Sequence, residues 1–374
     1  MWYTYAYNYI FLQECTVMKK LRIGSVGLGG MGSFHQENYA HMDNVEVVAL
    51  CDIIKERAVE IKDTLFPNAK VYTDYKEMID NEQLDAVDIS TPNYLHSPIA
   101  VYALEHGMHV FCEKPDSVSV EDAEKMRDAA EKAGKVLMVM RNNRYFENSR
   151  YIKKFIDEGK AGQFYAGRCC WIRRRGIPGK GGWFTTKAMS GGGPLIDLGV
   201  HMIDLSMWLM GNPKPVAVSG CTYTVFDKNE AKSDSEHSNF GDKVEGGTFD
   251  VEDLACGFIK FDNGACLQIE FSWASNIEKE TRFVELRGTK AGFHWDGDGT
   301  IDIFTEWDEW GRGGTTDIRH KCDMGNGHAR NQAHFVDVVL NGTKPDFVPQ
   351  QGINMIKILR AMYKSAETGK EVLL

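Results

Sequence analysis

The segment Gly27-Leu28-Gly29-Gly30-Met31-Gly32 follows a short apolar run and precedes a helical stretch, and glycines at this spacing can bring a backbone against a diphosphate. Gly27 would make the tight turn, Gly29 would admit the pyrophosphate, and Gly32 would let the helix lie close to the strand. The free N–H groups and positive dipole end of a helix beginning here suit phosphate. Asp52 stands twenty positions after Gly32, at the end of the next apolar run. A carboxylate there can hydrogen-bond the adenosine ribose hydroxyls and repel a 2′-phosphate, so NAD is expected over NADP, with Ile53 as a neighbouring contact. Arg57 is close enough in sequence to blur that discrimination.

Lys114, Asp197 and His201 are residue types that can manage a proton. Oxidising a secondary alcohol needs a base for the hydroxyl proton as hydride leaves carbon, and imidazole, with a reference pKa near ~6.5, can serve at neutral pH. A nearby ammonium stabilises the developing alkoxide. Asp197 precedes His201 by four positions. On an α-helix the two would share a face, and the carboxylate could fix the imidazole tautomer or bind a second substrate hydroxyl. His201 is expected to take the proton while Lys114 polarises and orients; the reverse assignment stays open, because a desolvated lysine can also act as base.

The elements that must position these groups are legible as short apolar runs alternating with helical stretches: residues 21–26, 45–51, 86–90, 109–112 and 136–140. Such runs read as βαβ units on a parallel sheet buried on both faces. Ser119-Val120-Glu121-Asp122 can cap one helix start, and Gly134 sits where that helix should stop. After Arg141 the pattern changes: one helix over 151–158 ends at Gly159, and long strands follow. Residues 258–261 and 267–271 flank Asp262-Asn263-Gly264, where Asn-Gly would supply the positive φ angles of a tight hairpin. The expected division is an extension at 1–17, a dinucleotide-binding domain at 18–141, and a domain at 142–374 with a mostly antiparallel sheet. Residues 228–247 read as a polar loop without periodicity.

A chain of 374 residues exceeds what one core usually serves. Its formal net charge of −10 argues against nucleic acid and anionic membranes, which require basic patches. Nine cysteines without a CxxC pair fit reduced thiols in a cytoplasmic protein better than a disulfide framework. No stretch at the start has the basic and apolar regions of a signal peptide or a membrane span.

Glu113-Lys114-Pro115 at a strand end, together with the run from Gly191 to Asp204 containing Asp197-Leu198-Gly199-Val200-His201, resembles the signatures of the glucose–fructose oxidoreductase, inositol dehydrogenase and MocA family. With the glycine motif in order, the resemblance covers residues 21–374. It implies an α/β fold: a Rossmann domain joined to an α+β domain whose large open sheet covers the cleft and makes subunit contacts, in a homodimer or homotetramer. It implies NAD as cofactor, and a sugar, glycoside or cyclitol as substrate. Lys114, Asp197 and His201 would line the substrate pocket. Thr91-Pro92-Asn93, His96, Glu113, Pro115 and Asn142 would lie along the cofactor. The segment 171–184 is similar to members that oxidise pyranosides at ring C3. Within it, Trp171, Arg173 and Trp183 suit stacking on sugar rings and hydrogen bonding to hydroxyls, and suit a helix–sheet interface equally well.

Two rival functions share these motifs: a glycoside hydrolase working by transient oxidation with bound NAD, which would release no net NADH, and a non-catalytic redox sensor, which would need no Lys114, Asp197 and His201 set. His320, Cys322, His328 and His334 are metal-ligand types, but their spacing fits no closed zinc pattern, and no metal is expected. Asp204 reads as a structural network member.

Overall fold

A computed structural model of the chain describes residues 19–227, 240–306 and 314–374. The extension expected at 1–17, and residues 228–239 of the expected loop, lie outside the described residues.

The first sheet is parallel, with six strands: β1 (Leu21–Val26), β2 (Val45–Cys51), β3 (Lys70–Tyr72), β4 (Ala86–Ile89), β5 (His109–Cys112) and β6 (Leu137–Val139), in the order β3-β2-β1-β4-β5-β6. Helices cover both faces, which is why the strands are apolar almost throughout rather than alternating. Strand order reverses between β1 and β4, so a crevice opens at their carboxyl ends, where α/β sheets bind ligands. Gly27, Asp52, Thr91, Lys114 and Asn142 all follow strands at that edge. The helix Val120–Ala133 begins where its cap predicts: the Ser119 hydroxyl accepts the Asp122 N–H at 3.1 Å, and Gly134 ends it in the left-handed conformation.

The second sheet has nine strands: β7 (Phe164–Ile172), β8 (Pro215–Tyr223), β9 (Leu254–Phe261), β10 (Cys266–Ser272), β11 (Thr281–Gly288), β12 (Ala291–Asp296), β13 (Thr300–Thr305), β14 (Thr316–Lys321) and β15 (Val372–Leu373). The order is β14-β13-β12-β11-β7-β10-β9-β8-β15, antiparallel except where β10 runs parallel to β7. Its inner face carries Val284, Leu286, Phe293, Trp295, Ile301 and Ile303, all buried, beneath the helices Val200–Leu209 and Pro349–Thr368. The β9–β10 hairpin forms as expected, with one difference. Only Gly264 takes a positive φ (83°); Asn263 instead accepts the Ala265 N–H on its side chain at 3.0 Å, as in a longer loop.

The chain crosses back between the two layers. The helix Gly327–Asn341, assigned by sequence to the second domain, packs its Phe335, Val336 and Val338 into the core of the first sheet. A buried ion network joins the layers as well. Asp204 receives Arg141 Nε at 3.0 Å and Arg144 at 2.6 and 2.7 Å, while Arg141 Nη2 reaches Asp116 at 2.5 Å. All four side chains are nearly inaccessible. This network ties the turn after Glu113-Lys114-Pro115 to the helix that carries His201, and Asp204 is a network member as the sequence suggested.

Candidate active site

The glycine turn is built as its sequence requires. Gly27 has φ 87°, and a Cβ added at Gly32 would lie 2.0 Å from the Gly27 carbonyl oxygen, so only glycine lets the helix Gly30–Tyr39 approach β1. No side chain caps this helix and its first turn holds no acid, and a Cβ added at Gly30 would point into open space. The N–H groups of a helix start are therefore left for an anion. Leu28, Gly29, Gly30, Ser33, Arg57 and Ile61 border a cavity of about 500 Å³. Thr91 Oγ1 and Asn142 Oδ1 are buried without a hydrogen-bond partner among the described residues. A dinucleotide fits these features: a cradle free of side chains at its phosphate end, and orphaned polar atoms along the crevice.

Asp52 is buried, and its carboxylate accepts the Leu28 N–H at 2.7 Å and the Ile54 N–H at 2.8 Å. It braces the glycine turn in addition to the adenosine contact expected of it, and the neighbouring Ile53 is 88% exposed. Replacement therefore has two expected consequences. Asp52→Ala narrows the ratio of catalytic efficiencies with NAD⁺ and NADP⁺, and it also lowers efficiency with NAD⁺ because the turn loses a support. Unchanged efficiency ratios in steady-state assays with both cofactors would remove the discriminating role.

Lys114 and Asp197 meet across the cleft. Lys114 Nζ lies 2.7 Å from Asp197 Oδ1 and 3.2 Å from the Asp197 carbonyl, and Trp273 Nε1 donates to Asp197 Oδ2 at 2.9 Å. Burial disfavours the Asp197 carboxylate, but Lys114, Arg173 and the indole N–H outweigh it and hold its pKa below the usual range. The preceding Gly191-Gly192-Gly193 run is held by Glu252, which accepts the Gly193 and Leu195 N–H groups at 2.9 and 3.1 Å. A Cβ on Gly193 would sit 2.0 Å from the Glu252 carbonyl.

The expected pairing of Asp197 with His201 does not form. Residues Leu195–Gly199 make a π-helical turn before the α-helix Val200–Leu209. The wider turn takes residues four apart out of alignment, so the carboxylate faces Lys114 and the imidazole stands apart. His201 lies 6.2 Å from the Trp171 ring, and its imidazole accepts or donates no hydrogen bond among the described residues. Burial, then Lys114 and Arg282, push its pKa well down, so the ring is held neutral.

Some of the residues expected along the cofactor also make contacts that hold the scaffold. His96 is fully buried with its ring nitrogens 2.7 Å from the Pro115 carbonyl and 2.9 Å from the Thr91 carbonyl, so it staples two loops together. The Glu113 carboxylate is buried, accepts the Lys114 N–H at 2.9 Å and pairs with His35 Nε2 at 3.0 Å. His35 bridges on to Asp88 at 3.0 Å, and although burial alone would lower its pKa, Asp88 and Glu113 raise it to about 10. Asn93 donates to the Ser190 carbonyl at 2.7 Å, anchoring the Thr91-Pro92-Asn93 loop. Of the aromatic-basic set, Trp171 and Arg173 stand beside His201 and Asp197. Trp183 stacks on Phe184 at 3.8 Å.

Sequence reasoning missed Trp273, Arg282 and His328. His328, in the first turn of the helix Gly327–Asn341, is enclosed near Glu113 and Lys114, and burial lowers its pKa to about 4. The only local signal was Asn326, whose side chain caps that helix by accepting the Ala329 N–H at 3.0 Å. The other members of the metal-ligand span lie elsewhere: His320 stacks on Tyr151, and His334 Nε2 accepts the Asp346 N–H.

Residues 21–141 match the model of an oxidoreductase family described as having an NAD-binding Rossmann fold, and residues 149–294 match that of the GFO/IDH/MocA C-terminal domain. The chain is 33% identical over 372 residues to the D-glucoside 3-dehydrogenase of Escherichia coli K12, covering 96% of this chain and 99% of that protein. It is 29% identical over 285 residues, 73% of each chain, to the levoglucosan dehydrogenase of Pseudarthrobacter phenanthrenivorans. The fold matches a solved levoglucosan dehydrogenase in complex with NADH and levoglucosan, with a TM-score of 0.82 at 23% identity over 95% of this chain and 99% of that one. A parallel crevice with an uncapped glycine turn, faced by a lysine–aspartate pair and a neutral histidine, thus accords with the matches along the whole length: the chain belongs to the glucose–fructose oxidoreductase, inositol dehydrogenase and MocA family.

Proposed function

We propose that the chain is an NAD-dependent dehydrogenase that oxidises a secondary hydroxyl of a sugar, with a glucoside oxidised at ring C3 as the favoured case. The observation that carries this reading is the division of labour between Lys114 and His201. The Lys114 amine is held and aimed by Asp197 at 2.7 Å, whereas the His201 imidazole is neutral and unpaired among the described residues. NAD⁺, when bound, supplies the hydride acceptor. Lys114 binds the reacting hydroxyl oxygen and stabilises alkoxide character; His201 takes the hydroxyl proton as hydride leaves carbon. The glycine turn, Asp52, Ile53, Thr91 and Asn142 would hold the cofactor, and Trp171 with Arg173 the sugar.

A panel of glucosides, free sugars and inositols, followed by NADH absorbance, tests the reading. Net NADH with a glucoside supports it. Glycoside cleavage without NADH accumulation would move the assignment to the hydrolase, and NAD binding without turnover on the panel to the sensor.

The protein is expected to be a homo-oligomer in the cytoplasm. The outer face of the second sheet exposes Phe258 and Phe304, apolar groups on an open sheet that a second copy would cover. Scattered unpaired cysteines suit a reducing compartment. Light scattering at micromolar concentration should give a dimer or tetramer mass; a monomer would defeat the expectation.

A further inference from the structure

Arg282 is a cation without a carboxylate. It lies on β11, on the same inward face as Val284 and Leu286, paired in register with Trp171 of β7. Its guanidinium is 4.3 Å from the Trp171 ring, 5.4 Å from Trp295 and 5.9 Å from Phe146. Nη2 donates to Asn143 Oδ1 at 2.8 Å, and Nε is buried with no partner. No acid comes within ion-pair distance among the described residues.

A second guanidinium shares the same indole. Arg173 stands 5.0 Å from the Trp171 ring, and its side chain's one hydrogen bond among the described residues goes to the Gly176 carbonyl at 3.2 Å. The indole N–H is taken by Glu280 at 2.8 Å. Lys114 also lies beside His201, and its charge is already matched by Asp197. Arg173 also faces the Asp197 carboxylate, so Arg282 is the guanidinium left in the field of another cation. Burial first and Arg173 second lower the Arg282 pKa to about 10, against the more distant pull of Glu280 and Asp296.

Enclosed like charges are costly unless something neutralises them. Aromatic rings beside a guanidinium offset part of that cost without consuming its N–H groups. A planar carboxylate is the group that such an edge matches in two parallel hydrogen bonds.

Resting on the reading of the site as a sugar dehydrogenase, we propose that Arg282, assisted by Arg173, determines specificity by binding a carboxylate carried by the substrate, so that the preferred substrate is a glycoside of a uronic acid or a comparably acidic sugar. The carboxylate takes the unpartnered guanidinium edge while the reacting hydroxyl lies against Lys114 and His201. Neutral glycosides are turned over without this contact.

Methyl β-D-glucopyranosiduronate and methyl β-D-glucopyranoside differ only at C6 and separate the outcomes. With NAD⁺, the native protein should favour the uronate by at least about 10-fold in kcat/KM, the size of one charge-assisted hydrogen-bonded contact. Added salt should erode that preference. Arg282→Gln should remove most of the preference, chiefly through KM for the uronate, and Arg282→Lys should restore only part of it. Arg173→Gln, at the end of β7, gives a second variant should Arg282→Gln fold poorly. Preference of the native protein for the neutral glucoside, or equal losses on both substrates in Arg282→Gln, would overturn the proposal. If neither glycoside is oxidised, the dehydrogenase reading fails separately. Calorimetric binding of the two glycosides to the NADH-loaded protein then still decides: tighter uronate binding that Arg282→Gln abolishes supports the anion site, and equal binding rejects it.

Discussion

His201→Ala should lower kcat by ~10²–10⁴-fold while leaving NAD affinity nearly unchanged, because the imidazole is positioned for the substrate hydroxyl rather than for the cofactor. Lys114→Ala should fall by a similar factor. The double variant should fall short of the product of the two losses, since residues that act on one hydroxyl are not additive. The position of Asp197 sharpens the expectation. Its carboxylate serves Lys114 at 2.7 Å and does not touch His201, so Asp197→Asn should resemble Lys114→Ala, and adding it to Lys114→Ala should cost little more. A base whose pKa is depressed keeps its proton-accepting form into acid, so the acid limb of kcat/KM should lie below ~6.5. Steady-state kinetics with calorimetric NAD titration check the set: a His201→Ala protein that binds NAD normally and turns over at the native rate would sink the assignment.

The second large effect is on stability. Asp204 neutralises Arg141 and Arg144 in a site closed to water, and removing its carboxylate leaves Arg144 without an ion-pair partner. Breaking a buried pair from one side typically costs about 3–5 kcal/mol. For a chain of this length that corresponds to a fall of roughly 5 °C in thermal midpoint. Asp204→Ala should show it by calorimetry, and Asp204→Asn, which keeps the shape and part of the hydrogen bonding, should lose less. Since the helix carrying Asp204 also carries His201, activity should decline with Asp204→Ala before the protein melts. A midpoint shift below ~1 °C would show that the network contributes specificity of packing rather than stability.

The parts legible in the chain alone are those whose physics is local. A strand buried on both faces must be apolar along its length, and β1 and β2 fall on the apolar runs at 21–26 and 45–51. Capping is also local, and Ser119 and Gly134 bound their helix as expected. Gly27 and Gly32 announce a turn that no side chain could enter, and the parallel order places Lys114 at a strand end facing a crevice.

What pairs with what was decided by the tertiary structure. Asp197 and His201 are four apart, a spacing that means contact only in an α-helix; a π-helical turn, whose residues are held by Glu252 and Trp273 from distant strands and loops, sends the carboxylate to Lys114 instead. His96 and Glu113 are expected along the cofactor, and only the tertiary structure shows their protein partners, loop carbonyls for His96 and His35 for Glu113. Arg282 has no sequence signal, because an arginine in a strand is ordinarily solvated; only β-pairing with Trp171 places it beside His201. The helix Gly327–Asn341 follows the second sheet in the chain but packs on the first, bringing His328 to Lys114. Local sequence determines backbone conformation through sterics and capping, whereas the partner of a buried charge depends on which distant surfaces the fold closes around it.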